Sequence, residues 1–423
     1  MHKIETLLQT LAPNGVEFKT LEEVFEIKNG YTPSKNNPEF WKNGTIPWFR
    51  MEDIRENGRI LKDSIQHITP KALKGKKLFP KNSIIISTTA TIGEHALLIV
   101  DSLANQRFTF LSKKANCDIA LDMKFFFYQC FLLGEWCKNN INVSGFASVD
   151  MTAFKKLEVP IPPLEIQQEI VKILDAFTEL NTELNTELKA RKKQYQYYQN
   201  MLLDFNDINQ NHKDAKEKLT QKTYPKRLKT LLQTLAPKGV EFRKLGEVCD
   251  FQNGKSITKK AVTFGKVPVI SGGRQPAYYH NEANRSGETI AISSSGVYAG
   301  YVSYWDIPVF LADSFSVSPK QKILMPKYLF YYLTTQQDAI HATKSAGGIP
   351  HVYSKDLQNF LIPIPPLEIQ QEIVKILDQF SLLTTDLLAG IPAEIKARKK
   401  QYEYYREKLL TFKPLTPHKE VKK

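Results

Sequence analysis

PIPPLEIQQEIVKILD, residues 160–175, recurs without a single change at residues 363–378. A second pair of near copies, TLLQTLAPNGVEF at 6–18 and TLLQTLAPKGVEF at 230–242, lies ahead of each. The chain is therefore a tandem duplication. The front copies are offset by 224 residues (230 − 6) and the rear copies by 203 (363 − 160), so the first enclosed segment is 21 residues longer than the second. The enclosed segments barely align with each other, whereas their ends are shared. Identical ends with divergent middles point to one kind of partner met twice and two different ligands.

Within and beyond the repeat, apolar residues fall three and four apart: Ile170, Ile173, Phe177, Leu180 and Leu184, then Ile373, Ile376, Phe380, Leu383 and Leu387. That spacing predicts a helical seam of coiled-coil type. Pro162 and Pro163 suit a helix start, where a missing N–H is harmless, and Glu165 lies near the positive end of the helix dipole. The first helix continues through Leu188, Tyr195, Tyr198 and Leu202, a rod of about 60 Å at 1.5 Å per residue. The two stripes fit either an antiparallel helix pair or two helices each packed on its own domain. In the second copy the ARKKQY segment returns at Ala397 rather than Ala190, an offset of 207, so four residues are inserted around Gly390, Ile391 and Pro392. An insertion of that size is a stutter, a kink or a break. Residues 205–224, rich in Asn, Asp, Lys and Gln, read as a polar linker.

The balance of 58 Lys and Arg against 44 Asp and Glu gives a net charge of +14, which favours a polyanionic partner such as nucleic acid. The cysteines, Cys117, Cys130, Cys137 and Cys249, show neither a CxxC pair nor zinc-like spacing, as expected for a reduced cytosolic protein without a metal site. No stretch has the length and apolarity of a membrane span, and the expected location is the cytoplasm.

The divergent segments read as mixed α/β domains. SIIIS, residues 83–87, is a buried strand and IPWFR, residues 46–50, another. Polar loops follow: Thr88 to Gly93, Asn105-Gln106-Arg107 and Ser144 to Ser148 in the first domain; Gly272-Gly273-Arg274-Gln275, Ser293 to Tyr298 and Gly347 to His351 in the second. Hydroxyls, amides and guanidinium groups are what pair with base edges and phosphates. Gly254-Lys255-Ser256 looks like the end of a P-loop, but the glycine required five residues earlier is Cys249. No dinucleotide loop, no NPPY-like methyltransferase tetrad and no nuclease-type Asp…Glu-x-Lys set is visible.

Two variable domains, each followed by a P-I-P-P-L-x-x-Q-x-x-I helix, resemble the specificity subunits of type I restriction-modification systems. The stretch from Asn29 (NG-Y-TPS), the TTATIG loop from Thr88, and in the second domain SSSGVYAGYV from Ser293 and GGIPHVYSKDL from Gly347 fit the same resemblance. It implies an α+β architecture: two α/β target-recognition domains joined by two long helices that pair as an antiparallel coiled coil, with pseudo-twofold internal repeat. On this reading residues 1–160 and 225–362 are recognition domains, 161–204 and 363–412 spacer helices, 205–224 the linker and 413–423 a basic tail. The partners implied are double-stranded DNA, two adenine-methyltransferase subunits and, through them, a restriction and translocation subunit. S-adenosylmethionine, ATP and Mg belong to those partners, and this chain is a non-catalytic subunit without a cofactor of its own.

Base-reading candidates are Thr89, Thr91, Arg107 and Ser148 in the first domain and Arg274, Gln275, Ser294, Tyr298 and His351 in the second. Phosphate candidates are Lys35, Arg50, Lys74, Lys76 and Lys77, with Lys255, Lys259, Lys260 and Lys344. Two rival readings are a coiled-coil scaffold without DNA specificity and a fused restriction enzyme carrying its own chemistry.

Overall fold

The five residues Ser83–Ser87 are all buried, and their run of isoleucines, β-branched and apolar on both faces, makes the central strand of a sheet. The computed structural model describes residues 2–142, 147–320, 322–345, 349–385 and 391–415. Two compact units emerge, one made of residues 1–183 with 396–423, the other of residues 184–395. Each domain therefore takes in the second half of the other repeat's helix.

In the first unit, five strands run in the order Phe25–Asn29, Phe108–Lys113, Ser83–Ser87, His95–Leu98 and Ile60–Leu61, antiparallel except for the last pair. A smaller sheet orders His67–Ile68, Ile46–Phe49 and Leu103–Ala104. The second unit repeats this plan in different residues. Cys249–Asn253, Ser314–Pro319, Thr289–Ser293 and Val302–Trp305 form the larger sheet; Tyr278–His280, Val267–Ile270 and Phe310–Leu311 form the smaller one. The extra chain of the first domain includes the helix Met51–Asn57 and the edge strand Ile60–Leu61, between Phe49 and Ser83.

The duplicated ends meet each other. Glu17–Thr20 pairs with Glu158–Ile161, Phe18 opposite Pro160, and Glu241–Lys244 pairs with Leu361–Ile364, Phe242 opposite Pro363. A helix follows each ribbon. Leu164–Leu203 is a single helix of 40 residues, whereas the second repeat is described as two helices, Leu367–Thr385 and Ile391–Leu410. The second spacer helix expected over 363–412 is thus described on both sides of the four-residue insertion. Residues 386–390, which include the seam candidate Leu387 and Gly390, lie outside the described residues, as does the side chain of Leu383.

Both arrangements open to the stripes occur, at different parts of one helix. In the first unit Ile166, Ile170 and Leu174 join the domain core together with Leu409 and Leu410, and Phe177 packs on Tyr402 and Tyr405, ring centroids 6.1 and 5.7 Å apart. Residue numbers thus rise along one segment as they fall along the other, an antiparallel pair. In the second unit Ile369, Ile373 and Leu377 share a core with Leu202 and Leu203, and Phe380 stacks on Tyr198 at 5.0 Å. Ile173 and Ile376 are partly buried against these cores, Leu180 is half-buried and Leu184 buried.

The identical helix starts also grip their own domains identically. Gln167 is fully buried; its Oε1 accepts from the Asp122 amide, and its Nε2 donates to the carbonyls of Ala120 and Pro162. Gln370 does the same with Met325, Ile323 and Pro365. Asp175 accepts from Lys124 Nζ and Tyr128 Oη, both at 2.6 Å, and Asp378 from Lys327 at 2.8 Å and Tyr331 at 2.5 Å. Burial, reinforced by the neighbouring carboxylate, pushes both phenols well up, so they remain donors. Even an ion pair is duplicated: Lys3–Glu169 at 2.5 Å and Arg227–Glu372 at 3.1 Å.

The polar linker expected at 205–224 is corrected. Phe205, Ile208, Ala215, Leu219 and Tyr224 are buried in the second unit's core around a 3-10 turn and the helix Ala215–Gln221. Asn209 bridges Val240 as Pro414 bridges Val16, so the start of the expected basic tail is also packed chain; residues 416–423 lie outside the described residues. Among the described residues no helix is long and apolar enough to cross a membrane.

Two stability predictions follow from buried polar groups. Gln167→Ala and Gln370→Ala leave three backbone groups unpaired and should each lower the unfolding free energy by about 1–3 kcal/mol in urea titrations, while Gln168→Ala on the exposed face changes it by no more than about 0.5 kcal/mol. His95, packed edge-on to Phe127 and Phe131, has its pKa pushed down to about 3, by burial first and then by Arg59. The unfolded chain takes up that proton near pH 6.5 while the fold resists it, so stability is lost as pH falls below 6.5, by about 2 kcal/mol at pH 5. His95→Phe should flatten this part of the pH–stability curve.

Candidate nucleic-acid interface

The end of the central strand fixes the recognition loops in both units through the same backbone bonds. In the first, the Thr88 amide donates to the Arg107 carbonyl at 3.1 Å, the Val149 amide donates to the Thr88 carbonyl at 2.9 Å, and Thr89 bridges Ser148. In the second, the Ser294 amide donates to the Asp313 carbonyl at 3.1 Å, the Val352 amide donates to the Ser294 carbonyl at 2.9 Å, and Ser295 bridges His351. Three segments distant in sequence thus converge at one edge of each domain. Among the base-reading candidates, Thr89, Arg107 and Ser148 are brought together, and so are Ser294 and His351.

The loop from Thr88 owes its course to two glycines. Gly93 has φ of +89°, which favours glycine, and a Cβ there would lie 2.5 Å from the carbonyl oxygen of Gly134 on the helix Met123–Asn139. Contact between backbones without intervening side chains holds the loop down on that helix.

Beside it opens a polar cleft of about 330 Å³, lined by Lys35, Arg50, Glu52, Arg55, Thr91 and Arg107 among others. Four cations face one carboxylate. Asp53 anchors the wall: its carboxylate accepts from the Arg50 and Ile65 amides, both at 2.6 Å, fixing the start of Met51–Asn57. The Arg50 guanidinium lies 5.9 Å from the Trp48 ring. Asn105 Oδ1 accepts from the Arg107 amide, and Thr32 Oγ1 donates to Gln106 Oε1, so the loop is tied at the two residues before Arg107.

Lys74 and Lys76 do not line this cleft; their ammonium groups sit over the rings of Phe40 at 5.4 Å and Tyr31 at 3.9 Å. Lys77 is exposed nearby in sequence but is likewise absent from the lining.

In the second unit the Arg274 guanidinium stacks over Tyr298 at 4.9 Å and Tyr301 at 5.5 Å, and Gln275 beside it is exposed. His351 donates from Nδ1 to the Ile349 carbonyl at 2.7 Å and stacks beside Tyr353, ring centroids 6.0 Å apart. Lys255, Lys259 and Lys260 are exposed along the loop after Cys249–Asn253, and Lys344 is half-buried. Ser144, Gly145 and Phe146 of the first domain and Gly347 and Gly348 of the second lie outside the described residues.

Glu52, Arg55, Thr32 and Asp313 were absent from the sequence candidates. Arg55 and Glu52 lie on a short helix whose facing is set by tertiary packing, and Asp313 carries the charge opposite to that sought for a DNA contact. A usable signal existed only for Asp313, which precedes its strand as Arg107 does.

The model of the type I restriction modification DNA specificity domain matches residues 13–194 and again 237–397. Over 387 residues the chain is 40% identical to the specificity subunit of the type I restriction enzyme EcoprrI of Escherichia coli, covering 88% of this chain and 89% of that protein. It is 34% identical over 292 residues to the EcoR124I/EcoR124II specificity subunit of Escherichia coli, covering 62% of this chain and 65% of the relative. The S subunit of a type I restriction-modification system from M. genitalium shares the fold with a TM-score of 0.55 at 19% identity, over 93% of this chain and 95% of that one.

Proposed function

Because this chain belongs to the family of type I restriction-modification specificity subunits, whose role is sequence-specific DNA binding, we propose that its two domains read the two unlike halves of a split DNA site while its duplicated frame holds two copies of one methyltransferase subunit. The observation that carries the reading is the repetition of one backbone scaffold with different loop chemistry: Thr88, Thr89, Arg107 and Ser148 in one unit stand where Ser294, Ser295, Asp313 and His351 stand in the other. Unlike side chains on like scaffolds read unlike bases.

Phosphate contacts fall to the exposed Lys35 and the half-buried Arg50 of the cleft in the first unit and to the exposed Lys255, Lys259 and Lys260 in the second, with base contacts from the loop groups. Lys74, Lys76, Lys77 and Lys344 stay as outlying phosphate candidates; Thr91, Arg274, Gln275 and Tyr298 join the base readers.

For the methyltransferase, support comes from exposed apolar side chains that occur in identical pairs. Leu11 and Leu164 in one unit, and Leu235 and Leu367 in the other, are between 37% and 42% exposed. Leu11 and Leu164 flank a groove of about 670 Å³ with Pro13, Val16 and Pro163, all residues of the duplicated segments. Two equal faces accommodate two equal partners.

The chemistry then belongs to the partners: base extrusion and transfer of a methyl group from S-adenosylmethionine to adenine, with ATP and Mg used by a restriction and translocation subunit, all in the cytoplasm. This chain supplies the address and no catalytic group.

Mapping methylated adenines in cells that carry this chain with its methyltransferase should reveal a split, non-palindromic motif with a fixed gap; a continuous or palindromic motif would count against the reading. Leu164→Asp and Leu367→Asp should each reduce the methyltransferase content from two copies to one by native mass spectrometry. Loss of both copies from a single substitution, or of neither, would argue against equal docking faces.

A further inference from the structure

Arg107 and Asp313 occupy one position in two copies of the same socket. Each is the residue immediately before a long strand, Phe108–Lys113 or Ser314–Pro319, and each gives its carbonyl to the loop amide of Thr88 or Ser294. The preceding turn is anchored to the neighbouring strand in both, by the Asn105 amide donating to the Phe49 carbonyl at 3.0 Å and the Ala312 amide donating to the Ile270 carbonyl at 2.8 Å, although it is one residue longer in the first domain. Two bonds in each domain thus fix the backbone, while the side chain changes from a guanidinium to a carboxylate. Few substitutions reverse hydrogen-bonding capacity so completely, from donors only to acceptors only.

The surroundings of each are suited to a base edge. Arg107 is exposed, lines the polar cleft, and its guanidinium makes no hydrogen bond or ion pair among the described residues. Asp313 is exposed as well. Its Oδ2 accepts from Ser295 Oγ, and Oδ1 accepts no hydrogen bond among the described residues. Gly272, which would place a Cβ 3.6 Å from Oδ2, leaves the carboxylate open on that side. A carboxylate on a DNA-facing edge repels phosphate, so what it can bind in the groove is an exocyclic amino group. Cytosine N4 offers that donor without the adjacent N7 acceptor that adenine presents.

We propose that this position is the shared specificity determinant of the two domains, Arg107 reading the O6 and N7 acceptors of a guanine in one half-site and Asp313 the N4 amino group of a cytosine in the other. This rests on the assignment of the domains as half-site readers. The socket aims the residue and its side chain chooses the base. Ser295, donating to Asp313, acts as a positioning residue that holds the carboxylate in place.

The test uses the full chain with its methyltransferase. Methylated adenines are mapped for the unaltered complex and for Arg107→Ala and Asp313→Ala, and the salt dependence of DNA binding is measured for all three. Arg107→Ala should lower discrimination for guanine at one position of one half-site by about 5- to 150-fold, leaving the other half-site intact. Asp313→Ala should do so for cytosine at one position of the opposite half-site. Neither should alter the salt slope. An even loss across all sites with a slope shallower by about one for Arg107→Ala would make it a phosphate contact and overturn the proposal. So would relaxation at a base other than guanine or cytosine, or an unchanged motif in either variant. If the unaltered complex methylates no split motif, both this inference and the half-site reading fail; a split motif that the variants leave untouched removes only this inference.

Discussion

The fold depends on a buried carboxamide. Gln167 and Gln370 sit where the identical helices leave their domains, and each joins a helix start to the turn that opens the domain's own buried helix. A side-chain amide in a dry interior is costly unless satisfied, and here all of its partners are backbone groups. Backbone groups do not change with sequence. One glutamine therefore serves two domains that have diverged almost beyond alignment. Asp175 and Asp378 add a side-chain requirement to this junction, a lysine and a tyrosine one helical turn apart.

With the junction settled, the rest of each scaffold follows in register. Strand order, the ribbon between duplicated ends and the bonds at the loop bases are common to both units. The units differ in their loop side chains and in the extra helix and edge strand of the first domain. Rigid backbone with variable chemistry is what a reader of base edges needs, since a displacement of about 1 Å spoils hydrogen-bond geometry.

Much of this was legible in the chain. The duplication, the long helix, the buried isoleucine strand and the loops bearing Thr89, Arg107, Ser148 and His351 all stand in the sequence. Four features did not. The segment 205–224 looked like a linker because its few apolar residues, Phe205, Ile208, Leu219 and Tyr224, are diluted by charge; they are nonetheless spaced to reach a core that only the tertiary fold provides. The sharing of helix halves between domains could not be read from a stripe, because packing on a domain and pairing with a helix demand the same periodicity. Nothing in the sequence shows that Lys74 and Lys76 sit over aromatic rings brought near by chain folding. Asp313 went unnoticed for a different reason: a search guided by net positive charge passes over an acid.

The backbone-only partners of Gln167 and Gln370 bear on inheritance as well as on structure. A crossover through the two stretches of identical protein sequence would exchange a domain at a junction where the glutamine asks only for backbone groups. The incoming domain would still have to meet the apolar face of the helix and supply the lysine and tyrosine that greet the aspartate, but nothing for the carboxamide.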